Sequence, residues 1–275
     1  MRVDEWLKSA EQRLSSAGIG TARLDCLVLL EDATVKDRSY LLAHPEITIQ
    51  GGTLQRLKRQ LNRRTQHEPM SYIRGKTEFY GREFIINQDV LEPRPESEAM
   101  MESLKNLKLP NKSTILDLGT GSGALAITAK LEIPEAEVIA TDIDPKCLKV
   151  ARENATKHQT EITFTKGDLL KPILSSKLWT LTSIIMANLP YVPDDFKLNE
   201  AAKNEPKLAI FGGQDGLDIY RKLFEQISSS KHKPSFVLTE SLPFQHAKLA
   251  KVAVKAGYKL AKTDDFIQLY TLKDN

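Results

Sequence analysis

From Ser113 onward, seven short runs of β-forming residues, TILDL, EVIATD, ITFTKGD, SIIMAN, SFVLTE, YKLAKT and FIQLYTL, are separated for the most part by helical stretches. Parallel neighbours in a sheet need a crossover long enough to hold a helix, so this alternation predicts an α/β fold: a mostly parallel sheet with helices on both faces. The last two runs are joined only by DDF, which is too short for a crossover, so they are expected to pair antiparallel at the sheet edge.

The remainder of the chain follows different periods. From Asp4 to about Arg64 the spacing is helical, with Trp6, Leu7, Ala10 and Leu14, then Leu24, Leu27, Val28 and Leu30, recurring every three or four residues. A small helical domain is the simplest reading. Within it LQRLKRQLNRR, residues 54–64, sets Leu54, Leu57 and Leu61 on one face and five basic residues on the others. That pattern fits a solvated helix face or a contact surface for an RNA or protein partner. Between Gly75 and Pro93 the aromatic and Ile-Ile pairs around a glycine turn predict a β-hairpin joining two domains. At 275 residues, the chain has the length for two.

Composition narrows the function classes. Thirty-nine Lys and Arg against 36 Asp and Glu leave a net charge of +3, which does not call for a nucleic-acid partner. Cys26 and Cys147 lie far apart and form neither a C-x-x-C pair nor a disulfide framework, as suits a reducing compartment. The N-terminal MRVDEWLKSAEQRL has no apolar core of a signal peptide, and no window approaches 18 uninterrupted apolar residues. A cytoplasmic protein that is not membrane-bound is expected. His44, His67, His158, His232 and His246 show no ligand-like spacing, so no metal is expected.

The segment ILDLGTGSGALAITAK runs from a strand through Gly119, Thr120, Gly121, Ser122 and Gly123 into a helix. Glycines there permit a sharp turn and close approach of a ligand, while the helix start adds N–H donors. Twenty-three residues past Gly119, Asp142 closes the next strand, where a carboxylate can accept both hydroxyls of a ribose. Gly119-x-Gly121-x-x-Ala124 also satisfies a dinucleotide fingerprint, so spacing alone leaves NAD open. Asp117 and Gly123 extend the loop to D-x-G-x-G-x-G, which resembles motif I of the class I S-adenosylmethionine (SAM) methyltransferases. Asp142-x-Asp144 opens like a calcium loop, but Lys146 and Cys147 stand where a ligand and a glycine belong. After the third strand of this region, KGDLL offers Asp168 to an adenine amino group and Leu169 to its ring.

The fourth strand ends in ANLPYVP. Asn188 therefore sits at the carboxyl end of a strand, where ligands collect in open α/β sheets. An amide nitrogen is a poor nucleophile because its lone pair is delocalised, so it must be held and enriched by acceptors. The Asn188 side-chain oxygen and the Leu189 carbonyl would each take one N–H, and orientation would supply much of the rest. Pro190 stiffens the turn, and Tyr191 can offer an aromatic face to a flat amide or a cationic centre.

With these motifs in place, the chain resembles the HemK/PrmC family of protein-glutamine N5-methyltransferases. EPMSYIRGKTEFYGREFIINQDVLEPRPESE, residues 68–98, is similar to the family's linker and its P-R-P-E-T-E segment. DLGTGSG corresponds to the donor loop, NLPY to N-P-P-Y, and NEPKLAIFGGQDGL, residues 204–217, to E-P-x-x-A-L…G-G-x-D-G-L. The resemblance implies a Rossmann-like class I SAM-dependent methyltransferase, its seven-stranded sheet carrying an antiparallel edge strand. Residues 93–275 would form this catalytic domain, 1–74 a helical substrate-recognition domain and 75–92 the linking hairpin. It implies methylation of the glutamine in the Gly-Gly-Gln motif of class I peptide chain release factors by a monomer, with no direct DNA binding and S-adenosylhomocysteine as product. Gly119 to Gly123, Asp142, Asp168, Leu169 and Asn188 would contact SAM; Asn188, Leu189, Pro190 and Tyr191 would hold the substrate, with Asn188, Pro190 and Tyr191 catalytic.

Several positions depart from the family pattern. Leu189 replaces the first proline of N-P-P-Y, which removes rigidity but keeps the carbonyl; Ser97 replaces Thr and keeps a hydroxyl. Leu242 stands where E-x-G-x-x-Q has glycine, and DDFIQLY lacks the usual Gly and Arg, both placed with peripheral packing. Gly212-Gly213-Gln214 repeats the tripeptide such an enzyme would recognise, and a Gly-Gly turn ahead of a helix explains it. The rival functions are a nucleic-acid amino methyltransferase, which shares the N-P-P-Y type of turn, an NAD-dependent oxidoreductase, and a SAM-binding ribosome-associated module without turnover.

Overall fold

In the computed structural model, described for residues 1–107, 109–110 and 112–273, the chain divides into two compact units. The first comprises Met1–Lys76 with Leu198–Asn204, the second Thr77–Lys197 with Glu205–Asn275.

The first unit is a helical bundle of α1 (Val3–Ser16), α2 (Ala22–Thr34), α3 (Arg38–Ala43), α4 (Gly51–Arg64) and α5 (Met70–Arg74). Trp6, Leu7, Ala10 and Leu14 of α1 meet Leu57 and Leu61 of α4 in one core. In α2 the inward face is Ala22, Cys26, Leu29, Leu30 and Ala33, at helical spacing, while Leu24 is left 48% exposed. The run LDCLVLL is apolar on most sides, so packing, not periodicity, chose which leucines point in.

The basic residues of α4 have a third use beyond the two foreseen. Arg56 donates to the carbonyls of Asp32 and Ala33 at the end of α2, and Arg64 donates to the buried Asp25 at 2.7 Å and to the Glu68 carbonyl. Arg63 pairs with Glu68. Three of the five cations thus cap helix carbonyls or neutralise acids inside the unit, as helix ends require.

Apart from Lys76, the hairpin of β1 (Lys76–Phe79) and β2 (Arg82–Ile85) belongs to the second unit. Tyr80 and Gly81 at its turn both have positive φ, 51° and 69°, the turn whose twist matches that of the flanking strands. Phe79 and Phe84 are buried against Met100, Met101 and Leu104 of α6 (Glu98–Lys105).

The sheet contains β3 (Thr114–Leu118), β4 (Glu137–Asp142), β5 (Thr163–Lys166), β6 (Thr182–Ala187), β7 (Phe236–Glu240), β8 (Tyr258–Asp264) and β9 (Ile267–Leu272). Their order is β5-β4-β3-β6-β7-β9-β8. The first five run parallel to one another, and β9 runs antiparallel to both β7 and β8. The two-residue link after Asp264 makes the expected antiparallel pair at the edge. The antiparallel strand itself lies second from that edge, because β9 inserts against β7 and leaves the largely polar β8 outermost.

Helices α7 (Ala124–Glu132), α8 (Pro145–Lys157), α9 (Lys177–Leu181), α10 (Asp218–Ser228) and α11 (His246–Lys255) make the connections. The sheet faces bury two clusters, one centred on Leu116, Ile185, Tyr220 and Phe224, the other on Ile115, Ile127, Val138 and Met186. Asn154 of α8 is fully buried and knits the hairpin to the glycine loop: it accepts from Ile85 N–H and donates to the carbonyls of Ile85 and Ser122.

Candidate active site

The chain leaves β3 toward β4 and β5 on one side, and returns through β6 and β7 on the other, so a crevice opens above the carboxyl ends of β3 and β6. A cavity of about 220 Å³ lies there, walled by Gly119 and Gly121, Asp142, Asp168 and Leu169, Asn188 to Pro190, Leu208 and Lys222. A smaller one adjoins it, bounded by Gly119 to Ser122, Glu92, Arg94, Ser97 and Asn188. Gly119 and Asn188 line both.

The glycine loop is built as its residues require. Gly119, Gly121 and Gly123 have φ of 68°, 54° and 82°, where side chains other than glycine are strained. The N–H groups of Gly119 and Thr120 donate to the Thr141 carbonyl, tying the loop to the end of β4. A Cβ on Gly119 would come within 3.1 Å of the Leu189 side chain, so this glycine keeps space between loop and turn. Gly123 lines neither cavity; a Cβ there would press on Ala151 and Ile127, which makes it a packing residue.

Asp117 is buried beneath the loop and accepts from Thr120 Oγ at 2.6 Å. Burial, with the Asp142 charge adding to it, pushes its carboxyl up to about 7. Asp142 accepts from Gly121 N–H at 3.0 Å and Asp144 N–H at 2.9 Å, one on each oxygen. Burial raises its carboxyl, and those two N–H groups oppose the rise. Each oxygen keeps a further lone pair for a ligand hydroxyl.

Asp168 reaches the cavity wall but is already committed. Its Oδ2 pairs with Lys222 at 2.5 Å and Lys171 at 3.0 Å, which outweighs burial and holds the carboxyl below its usual range. Leu169, with φ 54°, presents its buried side chain to the cavity instead. Ile143, Leu208 and Cys147 complete apolar walls that the sequence patterns did not mark. The Cys147 thiol donates to the Asp89 carbonyl, and burial followed by the charges of Asp142 and Asp144 pushes it up to about 12, so it is an inert wall residue.

Around Asn188 the structure is most specific. Its Nδ2 donates to Ser97 Oγ at 2.9 Å, and Ser97 Oγ donates to Glu240 Oε2 at 2.6 Å. The amide is thereby oriented with its NH2 toward Ser97. Among the described residues, no protein donor reaches Asn188 Oδ1 or the Leu189 carbonyl. Two residues that line the cavity thus each keep an oxygen without a protein donor.

The turn that carries them is braced from several sides. Leu189 N–H donates to Tyr220 Oη at 3.3 Å, and the Gln245 amide donates to the carbonyls of Tyr191 and Asp215. Val192 N–H donates to the Ile210 carbonyl and Gly212 N–H to that of Val192. A Cβ on Gly212 would collide with the Pro190 and Gly216 carbonyls. The Gly-Gly of residues 212–213 is therefore a close-approach element supporting the turn, and the neighbouring Gln214 is exposed. Tyr191 is not on the wall of either cavity: its hydroxyl donates to Glu240 Oε1 at 3.0 Å.

Residues 95–195 match the methyltransferase small domain family and residues 5–75 the PrmC N-terminal domain family. The chain is 36% identical to the release factor glutamine methyltransferase of Bacillus subtilis, over 92% of this chain and 90% of that protein. The chain belongs to the release factor glutamine methyltransferase family. The Coxiella burnetii member is 33% identical over 94% of this chain and 92% of its own, and the Koribacter versatilis member 35% over 82% and 81%.

Solved structures agree on the fold. A methyltransferase from Pyrococcus furiosus superposes with a TM-score of 0.51 at 18% identity, over 70% of this chain and 88% of its own. The hMettl16 catalytic domain gives 0.54 at 14% identity, over 70% and 76%.

Within this family's site, the sequence patterns located Gly119, Gly121, Asp142, Leu169 and the 188–190 turn on the cavity. They did not mark Tyr220, and they placed Glu240 and Gln245 only with peripheral packing. The E-x-x-x-x-Q spacing of Glu240 and Gln245 was the available signal. No helix is long and apolar enough to cross a membrane among the described residues, and those residues contain no cluster of three or more metal-ligating side chains.

Proposed function

We propose that this protein transfers a methyl group from SAM to the side-chain amide nitrogen, N5, of the glutamine in the Gly-Gly-Gln motif of class I peptide chain release factors. The observation that carries this reading is the Asn188 amide, whose NH2 is taken by Ser97 while its oxygen and the carbonyl of the neighbouring Leu189 have no protein donor among the described residues, both residues lining the cavity.

The cavity suits SAM by its donor set. Asp142 offers lone pairs to ribose hydroxyls, Leu169, Ile143 and Leu208 offer apolar surface to a flat ring, and the glycine loop leaves room beside Asn188. When bound, SAM supplies an electrophilic methyl on a sulfonium sulfur.

Everything else falls to the chain's own residues. Asn188 Oδ1 and the Leu189 carbonyl each accept one N–H of the glutamine amide, which fixes its plane and aims the nitrogen for in-line attack. Both are preorganised acceptors where positive charge develops on that nitrogen, so the protein does not reorganise during the step. No strong base is needed, because the alkylated nitrogen is acidic enough to release its proton to water. Tyr220 and Gln245 keep the two acceptors in register by bracing the turn.

Residues 1–74 are assigned to substrate recognition, 75–92 to the link and 93–275 to catalysis, in a protein acting as a monomer in the cytoplasm. Commitment of Arg56, Arg63 and Arg64 to carbonyls and acids of their own unit removes much of the basic face a nucleic-acid partner would use. The test is incubation with labelled SAM and a release factor, its Gln-to-Ala variant, or duplex DNA. Label in the glutamine-bearing protein alone is expected; label in DNA, or equal label in the Gln-to-Ala variant, overturns the reading.

A further inference from the structure

Glu240 is fully buried at the end of β7, and among the described residues no Lys, Arg or His pairs with it. A carboxyl taken out of water without a cation is costly, so a chain that keeps one gains something by it. Its side-chain neighbours are hydroxyls and an amide: Ser97 donates to Oε2 at 2.6 Å, Tyr191 to Oε1 at 3.0 Å, and Asn188 lies close enough to hydrogen-bond as well. Its backbone carbonyl accepts from Tyr220 Oη at 2.6 Å.

We propose that Glu240 is the positioning residue of the site: through Ser97 it sets which way the Asn188 carboxamide faces, and through Tyr191 it anchors the turn that follows. This inference rests on the function proposed above.

The logic is one of donors and acceptors. Burial raises the Glu240 carboxyl, and the Ser97 and Tyr191 hydroxyls that donate to its charged form oppose the rise. As a carboxylate it only accepts, so the Ser97 hydrogen points at Glu240 and the Ser97 lone pair is left for Asn188. That lone pair accepts the Asn188 NH2 at 2.9 Å and would repel its oxygen. A carboxamide has two nearly isosteric orientations, and this relay selects the one that presents Oδ1 to the substrate. The same chain of hydrogen bonds polarises the Asn188 amide, enriching Oδ1 as an acceptor. The negative charge also sits one hydroxyl away from the group that faces the developing cation.

The experiment compares the parent with Glu240→Gln, Ser97→Ala, Ser97→Thr and the Ser97→Ala/Glu240→Gln pair. Glutamine at 240 can donate to Ser97, which frees the serine hydrogen to hold the Asn188 amide the wrong way round. Glu240→Gln and Ser97→Ala are expected each to lower kcat on the order of 10²-fold, while SAM affinity by calorimetry and KM for the release factor hold within about threefold. Ser97→Thr keeps the parent rate, and the double variant is no slower than the slower single one, since both act on one relay.

A second readout does not depend on turnover. The Asn188 side-chain amide protons, assigned by their loss in Asn188→Asp, are protected from exchange in the parent and in Ser97→Thr but not in Glu240→Gln or Ser97→Ala. Parent-like kcat or parent-like protection in Glu240→Gln overturns the proposal, as do additive losses in the double variant. If Glu240→Gln does not fold, parent-like protection in Ser97→Ala overturns it alone. Should the parent leave a release factor unlabelled while the protection pattern holds, the function reading fails and the relay stands.

Discussion

The Leu189 N–H donates to the hydroxyl of Tyr220, 31 positions further along the chain, at 3.3 Å, and that hydroxyl lies 2.9 Å from the Ala187 carbonyl and 2.6 Å from that of Glu240. Proline, which the family pattern places at 189, has no N–H to give. Here leucine supplies a hydrogen bond and a buried residue only 3% exposed, so rigidity lost from the ring is recovered from tertiary contacts. Tyr220→Phe should strand these buried groups and cost about 1–3 kcal/mol. Calorimetric melting should show a Tm lower by roughly 2–10 °C, with kcat reduced alongside. An unchanged Tm would mean the hydroxyl does not brace the turn.

Asn188→Ala removes the side-chain acceptor but leaves the glycine loop and Asp142 in place. Turnover on a release factor should fall on the order of 10²-fold or more, with SAM affinity by calorimetry changed by less than about fivefold. Comparable rates for variant and parent would remove Asn188 from the chemistry.

Asp117 gives a pH prediction whose sign is fixed by burial. Its carboxyl is raised from 3.8 to about 7 in the folded chain. A raised acid favours the folded state fully below its unfolded value and loses that contribution as pH climbs through the folded one. Asp117→Asn should therefore gain stability relative to the parent in urea melts at pH 8, with the advantage shrinking toward pH 5. A difference that grows at acid pH would contradict the assignment.

Gly212→Ala and Gln214→Ala separate the two readings of the internal Gly-Gly-Gln. The alanine methyl at 212 meets the Pro190 and Gly216 carbonyls, so it should disturb the turn, lowering turnover at least tenfold while SAM still binds. Gln214 is exposed and touches neither cavity, so Gln214→Ala should leave both activity and self-labelling at the parent level. Label that disappears from the protein itself with Gln214→Ala would instead establish self-modification.

The portions of this protein legible in its sequence are those set by short-range periodicity. Alternating β and helical runs announce a parallel sheet because crossovers have a minimum length, and the two-residue link after Asp264 forces an antiparallel pair for the same reason. The glycine loop, Asp142 and Asn188 lie at strand ends, and strand ends in such a sheet converge on one edge. Knowing the strands was enough to bring them together.

Tertiary structure decided what no spacing encodes. Ser97 meets Asn188 across 91 positions and Glu240 across 143, and only the packing of β6 beside β7 under the 95–97 segment makes those meetings. It assigned Asp168 to two lysines, Gly123 to packing and the Tyr191 hydroxyl to Glu240, each by proximity within the folded chain. Residue types and local periods settle which groups stand at the crevice. The direction each group faces depends on hydrogen-bond partners drawn from distant parts of the chain, and those exist only once it has folded.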